Sequence, residues 1–185
     1  MDLGLLLLRI ALAAILYMHA TQKLRGWFSG PGLEKAGRLF ESLGQRPGRQ
    51  MALLAVTCEA GGSLLVLAGF VTPLGAAVLA GTMLVAGGAL TMTKGIVWNA
   101  AGGGEYPLVL ATFAIVLGFT GPGRWSADWA IGAPWVPHSN AAAALYGVIV
   151  LVVAALAAGV ALLRTRSELT AHANAQAAPP TSASA

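Results

Sequence analysis

The chain has 185 residues, 57% hydrophobic and 10% charged, with a formal net charge of +4. Ordinary soluble domains carry about 25% charged residues, so this composition, with a mean hydropathy of +0.73, excludes a soluble globular domain. The single cysteine, Cys58, excludes an internal disulfide, a Cys-x-x-Cys redox pair and a thiolate cluster, and is expected to be a small apolar helix residue.

A helix needs about 20 apolar residues to cross the hydrocarbon core. Five segments qualify: 3–21, 50–70, 73–92, 106–121 and 141–163. The expected fold is all-α, a polytopic membrane helix bundle with four helices forming the core and a fifth C-terminal transmembrane helix. The first segment begins with Asp2 rather than a basic residue, and Arg9 interrupts its apolar run. It is expected to be a retained helix rather than a cleaved leader. The connection that follows contains Leu33, Ala36, Leu39, Phe40 and Leu43 at helical spacing with charges between them. That pattern predicts a short amphipathic helix, either on the membrane surface or as a solvated connector.

Thr72-Pro73 predicts the start of the third segment, an N-cap followed by proline in the first turn. Almost nothing separates it from the second, so the two must form an antiparallel hairpin. Pro107 and Ser139-Asn140 mark the starts of the fourth and fifth. Small residues recur at four-residue spacing in Ala76/Ala80, Ala77/Gly81, Ala154/Ala158 and Ala155/Gly159, which permits close helix contact. Trp125, Trp129 and Trp135 in the connection 122–140 suit an interfacial aromatic belt. The expected division is a four-helix domain over 1–128, an outer loop and fifth helix over 129–164, and a disordered tail over 165–185.

Nine basic residues (Lys23, Arg25, Lys35, Arg38, Arg46, Arg49, Lys94, Arg164 and Arg166) fall on one side of such a bundle and Arg124 alone on the other. The positive-inside rule then places the N-terminus outside and the C-terminus in the cytoplasm. Basic residues at membrane boundaries make the lipid bilayer the partner and do not form a nucleic-acid footprint.

Arg9, His19 and Glu59 stand inside otherwise apolar helices. A charge at the bilayer centre costs roughly 2.5–3.5 kcal/mol on insertion scales, so such residues are expected to face the bundle interior and find partners. At a rise of about 1.5 Å per residue, the Cα levels of Arg9 and Glu59 differ by less than ~10 Å. The expectation is an intramembrane pocket of Arg9, Glu59 and His19, in which Arg9 and Glu59 either meet as a purely structural lock or line a site for a quinone head group, an ion or a proton. Gln22, Lys23, Lys94, Trp98, Asn99, Glu105 and Tyr106 are expected to converge as a rim at the basic end. One carboxylate with no second core histidine supports no metal or haem site.

Several runs together resemble the DoxX family of bacterial membrane proteins. They are Leu7-Leu8-Arg9, His19 with Gln22-Lys23-Leu24, Gly26-Trp27-Phe28 with Gly30-Pro31-Gly32, Glu59-Ala60-Gly61-Gly62, Trp98, Gly104-Glu105-Tyr106-Pro107 and 121–128. The resemblance covers about 3–128; Lys94-Gly95-Ile96-Val97-Trp98 departs partly from the family pattern, and the fifth helix and tail lie outside it. It implies a multi-pass protein of the bacterial inner membrane, associated with quinone-linked thiosulfate, sulfur or oxidative-stress oxidoreductases and with soluble or membrane redox partners. The chain shows no intrinsic cofactor machinery, so electron transfer would need a bound quinone or a partner's cofactor. The expected function is a membrane subunit of such a quinone-linked system. The alternatives are a non-catalytic scaffold recruiting a soluble redox enzyme, and then a small transporter. Whether the chain is itself catalytic, and whether it forms a homo-oligomer, its residues leave open.

Overall fold

In the computed structural model the described residues are 2–177, and among them all regular structure is helical. The helices are α1 (Asp2–Arg25), α2 (Gly32–Ser42), α3 (Gly48–Ala68), α4 (Thr72–Lys94), α5 (Glu105–Thr120), α6 (Ala127–Ala130) and α7 (Asn140–Ala177), with one 3-10 turn at Asn99–Ala101. By length and composition α1, α3, α4 and α7 can each cross a membrane, and α5 is a shorter apolar helix. The chain is a multi-pass membrane helix bundle.

α4 is the centre of the bundle. It packs on α3, α5 and α7, while α1 packs on α3 and touches α5 weakly. Leu12 and Leu16 of α1 meet Val66 of α3, Leu79 and Met83 of α4, Leu117 of α5 and Val150 of α7 in one continuous core. Leu54, Leu64, Leu74, Phe113, Val148 and Leu156 are exposed on the flanks, as expected of side chains that face acyl chains. Lipid is as apolar as leucine, so helix association here depends on close fit rather than on escape from water. Ala76, Ala77, Ala80, Ala154 and Ala158 are buried accordingly. A Cβ on Gly81 would lie 3.7 Å from the Ala154 backbone. The pair Ala155/Gly159 does not take part: Ala155 is exposed and nothing lies within 4 Å of a Cβ built on Gly159.

One end of the bundle gathers the end of α1, α2, the start of α3 and the end of α4, and with them the basic residues. The other gathers the start of α1, the α3–α4 turn and the loop 121–139. We call them the basic end and the loop end. α5 has 16 residues, a length of about 24 Å against a hydrocarbon core of about 30 Å. The loop after it therefore begins inside the bundle, and Gly121 and Pro122 are buried.

One sequence expectation changes. The disordered tail assigned to 165–185 is helical as far as Ala177, because α7 continues past the membrane-length segment. Thr165 is buried, and a Cβ on Gly44 would lie 2.9 Å from its carbonyl oxygen, so the extension leans on the α2–α3 turn. Arg46 and Glu168 add an exposed ion pair at 3.9 Å. The rest of the assigned tail, 178–185, lies outside the described residues. The short helix expected in the first connection is α2, and it packs on the start of α3. Its Ala36 and Gly37 are buried, and a Cβ on Gly37 would lie 3.1 Å from the Arg49 Cα, at the start of α3.

The start of α5 approaches α4 closely at Gly104, where an added Cβ would run into the Gly87 carbonyl and sit 2.6 Å from Thr91 Oγ1. Gly104→Ala is therefore expected to cost roughly 1–3 kcal/mol, read as a lower unfolding midpoint in detergent. Gly61→Ala and Gly159→Ala, with nothing within 4 Å, should leave the midpoint unchanged or raise it through helix propensity.

Candidate functional site

The intramembrane polar residues form two separate sites, one at each end. Arg9 is 1% exposed. Its Nε donates to the Val66 carbonyl at 2.8 Å and its Nη2 to Leu67 O at 2.6 Å, while Nη1 donates to Pro122 O at 3.0 Å and Trp125 O at 2.8 Å. Val66 and Leu67 close α3, where the last carbonyls have no intrahelical partner and carry the negative end of the helix dipole. One guanidinium thus completes a helix terminus and ties the returning loop onto it. Gly69 is required at this point. It ends α3 in the left-handed region at φ 62°, and a Cβ there would lie 2.6 Å from Arg9 Nη2 and 2.5 Å from Ser126 Cβ.

Asp128 completes the arrangement from the loop. It is fully buried and accepts from Val71 N at 2.8 Å, Thr72 N at 2.9 Å and Thr72 Oγ1 at 2.7 Å. A carboxylate at the start of α4 meets the positive end of that helix dipole. Its own amide donates to Gly69 O at 2.8 Å. Thr72 was expected to cap α4 itself; instead it is the first helical residue and donates its hydroxyl to Asp128. Asp128 was not among the sequence candidates. The available signal was one acid in an apolar, aromatic loop of a chain that also buries an arginine.

Arg9 therefore does not meet Glu59. Helical side chains lean toward their own helix's N-terminus. On α1 that direction takes Arg9 to the loop end, away from Glu59, and takes Lys23 inward from the basic end. Lys23 Nζ contacts Glu59 Oε1 and Oε2 at 2.7 Å each. The Glu59 side chain is 2% exposed and that of Lys23 21%.

His19 stands one turn inward of Lys23 on α1, so the two share a face. Its ring lies 5.8 Å from that of Tyr106 at the start of α5, tilted by 60°. Ser63 is one turn beyond Glu59 on α3, and its buried Oγ has no hydrogen-bond partner. Glu59, Lys23, His19, Tyr106 and Ser63 thus run from the half-exposed rim to the buried interior.

Gln22 reaches this group through its side chain, which lies within hydrogen-bonding reach of His19, and the other remaining rim residues do not join it. The Gln22 amide donates to Phe28 O at 3.3 Å. Glu105 Oε2 accepts from the Asn99 amide at 3.0 Å and its own amide donates to Val97 O at 2.8 Å, so it braces the α4–α5 loop. Lys94 and Trp98 are exposed. The expected single rim is thus three local arrangements. Among the described residues, no group of three or more His, Cys, Asp or Glu is placed to hold a metal ion.

Antiparallel apolar helices with buried, internally paired charges define a multi-pass membrane protein. The DoxX family model matches residues 4–94, from α1 to the last residue of α4, and this match supports membership of the DoxX family. Comparison with curated proteins and with solved structures gave no match. The matched stretch holds Arg9, His19, Lys23 and Glu59; Asp128 and Tyr106 lie beyond it.

The two sites differ in what mutation should do. Arg9→Met removes the donor from four carbonyls, a loss of about 3 kcal/mol or more, seen as poor extraction in folded form and a lower unfolding midpoint. Lys23→Met leaves Glu59 buried and unpaired and should cost roughly 3–5 kcal/mol, while the double change Lys23→Met with Glu59→Met recovers most of it. A double-mutant cycle on the unfolding midpoint checks this pair; additive losses would show that the two side chains are not coupled.

Proposed function

We propose that the chain is an inner-membrane subunit of a quinone-linked oxidoreductase system, and that the quinone head group is held at the Lys23–Glu59 site. The observation that carries this reading is Glu59: a carboxylate buried within α3, paired to a lysine that enters from the rim, beside a serine hydroxyl with no partner. A buried ion pair is weak support for stability, since apolar packing of similar volume often does as well. An intramembrane ionisable group is a functional candidate by default.

The residues fit a quinone head group, an apolar ring with two carbonyl acceptors. Lys23 and the unpartnered Ser63 hydroxyl are donors to such acceptors, and Glu59 is a carboxylate able to take or give a proton. When bound, the quinone supplies the two-electron, two-proton carrier that this chain's own side chains lack. His19, adjacent to Lys23 and against the half-exposed Tyr106, offers the group through which a proton passes between the rim and Glu59. Nine cations at the same end support a cytoplasmic orientation for it by the positive-inside rule. Electrons are then delivered from a partner carrying its own redox group.

The test is quinone content after purification in mild detergent for wild type, Glu59→Gln and the Lys23→Met/Glu59→Met double variant. Glu59→Gln keeps the side chain's size, and the double variant keeps the packing. Both should stay folded yet carry about tenfold less quinone, the effect of losing about 1.4 kcal/mol of binding. Equal quinone in all three, or none in the wild type, leaves Lys23–Glu59 as a helix lock only.

A further inference from the structure

The α1–α2 corner shows features that neither the bundle nor the Lys23–Glu59 site uses. Phe28 and Ser29 are consecutive non-glycine residues in the left-handed region, at φ 51° and 60°. Such conformations persist only where the surroundings over-determine them, and they concentrate at binding sites. Here the turn is held from three directions. Gly26 N donates to Gln22 O at 3.1 Å, Gly30 N to Trp27 O at 2.9 Å, and the Gln22 amide to Phe28 O at 3.3 Å. Gly30 lies so close to α1 that an added Cβ would be 2.5 Å from Gln22 Cα. The result of the strain is outward projection: Trp27 is 51% exposed and Phe28 62%.

Charge is sorted around this turn. In α2 and at the start of α3 the carboxylates are engaged: Glu34 pairs with Arg49 at 3.4 Å, and Glu41 accepts from Gly48 N at 3.4 Å. Arg25 stacks 5.5 Å over the Trp27 ring. Lys35 and Arg38 are exposed, and helical geometry sets them opposite the buried Ala36–Gly37 face, pointing away from α3. Among the described residues Arg25, Lys35 and Arg38 have no carboxylate partner, whereas Lys23, Arg46 and Arg49 each have one. Three unneutralised cations beside two projected aromatics, at the end of a membrane helix, match an anionic headgroup layer. There the phosphates take the cations and indole rings settle below them.

We propose that the α1–α2 corner is a binding site for anionic phospholipid headgroups, in which Arg25, Lys35 and Arg38 hold the phosphate and Trp27 and Phe28 anchor in the interfacial layer. The site is independent of the quinone reading. It assigns the corner's cations to lipid and not to an acidic partner protein, and it fixes α2 against the membrane as well as against α3.

The experiment uses the full chain, purified and exchanged into detergent with equal phosphatidylglycerol and phosphatidylcholine, and measures retained lipid by native mass spectrometry. Wild type should retain the anionic lipid about tenfold in preference, less at high salt. The triple variant Arg25→Gln/Lys35→Gln/Arg38→Gln should lose that preference, with its helical circular-dichroism signal unchanged. The pair Trp27→Ala/Phe28→Ala should weaken retention of both lipids. The control Lys94→Gln/Arg164→Gln/Arg166→Gln removes the same formal charge from the same end and should keep the preference. Equal preference in wild type and the corner variant overturns the site, as does equal loss in corner variant and control. An acidic protein that co-purifies with wild type but not with the corner variant, in the absence of lipid preference, also overturns it.

Discussion

Arg9 is the constraint on which the loop end depends. A short fifth helix brings irregular backbone into a region where water is not available to satisfy it, and carbonyls left unpaired there are costly. The end of α3 presents a further set of carbonyls at the same level. One planar guanidinium with several donors in a fixed fork meets both sets at once. Asp128 does the converse at the start of α4, where the orphan groups are donors. The α3–α4 turn thus has a cation at its carbonyl end and an anion at its amide end. The loop 121–139 is held by both, so α1, α3, α4 and the loop form one unit. This is a structural use of charge: every nitrogen of the Arg9 guanidinium and both oxygens of Asp128 bond to the protein itself.

The basic end uses charge differently. Lys23 and Glu59 satisfy one another in a single contact, but the groups around them are not closed. Ser63 Oγ has no partner, His19 faces Tyr106 only through its ring, and Tyr106 reaches the surface. A fully satisfied network rigidifies, whereas incomplete satisfaction leaves capacity for a ligand. That contrast with the Arg9–Asp128 end is why the functional proposal rests on Glu59 and not on the more elaborately bonded arginine.

Much of the fold was legible in the sequence because membrane helices are governed by short-range rules. Apolar length gave the four long helices and the shorter α5 to within a few residues at most ends. Alternation of charge and leucine gave α2, and three of the four small-residue pairs are buried. The error at the C-terminus has the same origin: polarity after Leu163 was taken for loss of structure, yet alanine-rich sequence continues a helix once the preceding turns are formed. α2's packing face was not legible, since Ala36 and Gly37 are too small to mark a core by hydropathy.

The sequence by itself determined that the protein is an all-helical membrane bundle, that Arg9 and Glu59 must be buried and partnered, and which end is basic. Composition and apolar run length suffice for that, because the bilayer imposes them locally. Only the tertiary structure decided which partners those charges take. Depth counted along the helices placed Arg9 and Glu59 near one another, but side chains lean toward their helix's N-terminus, which parts Arg9 from Glu59 and sends Lys23 inward. Asp128's place at the start of α4 depended on a loop returning across 56 residues of chain from Thr72. Such pairings are set by where the loop closes, and no local pattern of residues records it.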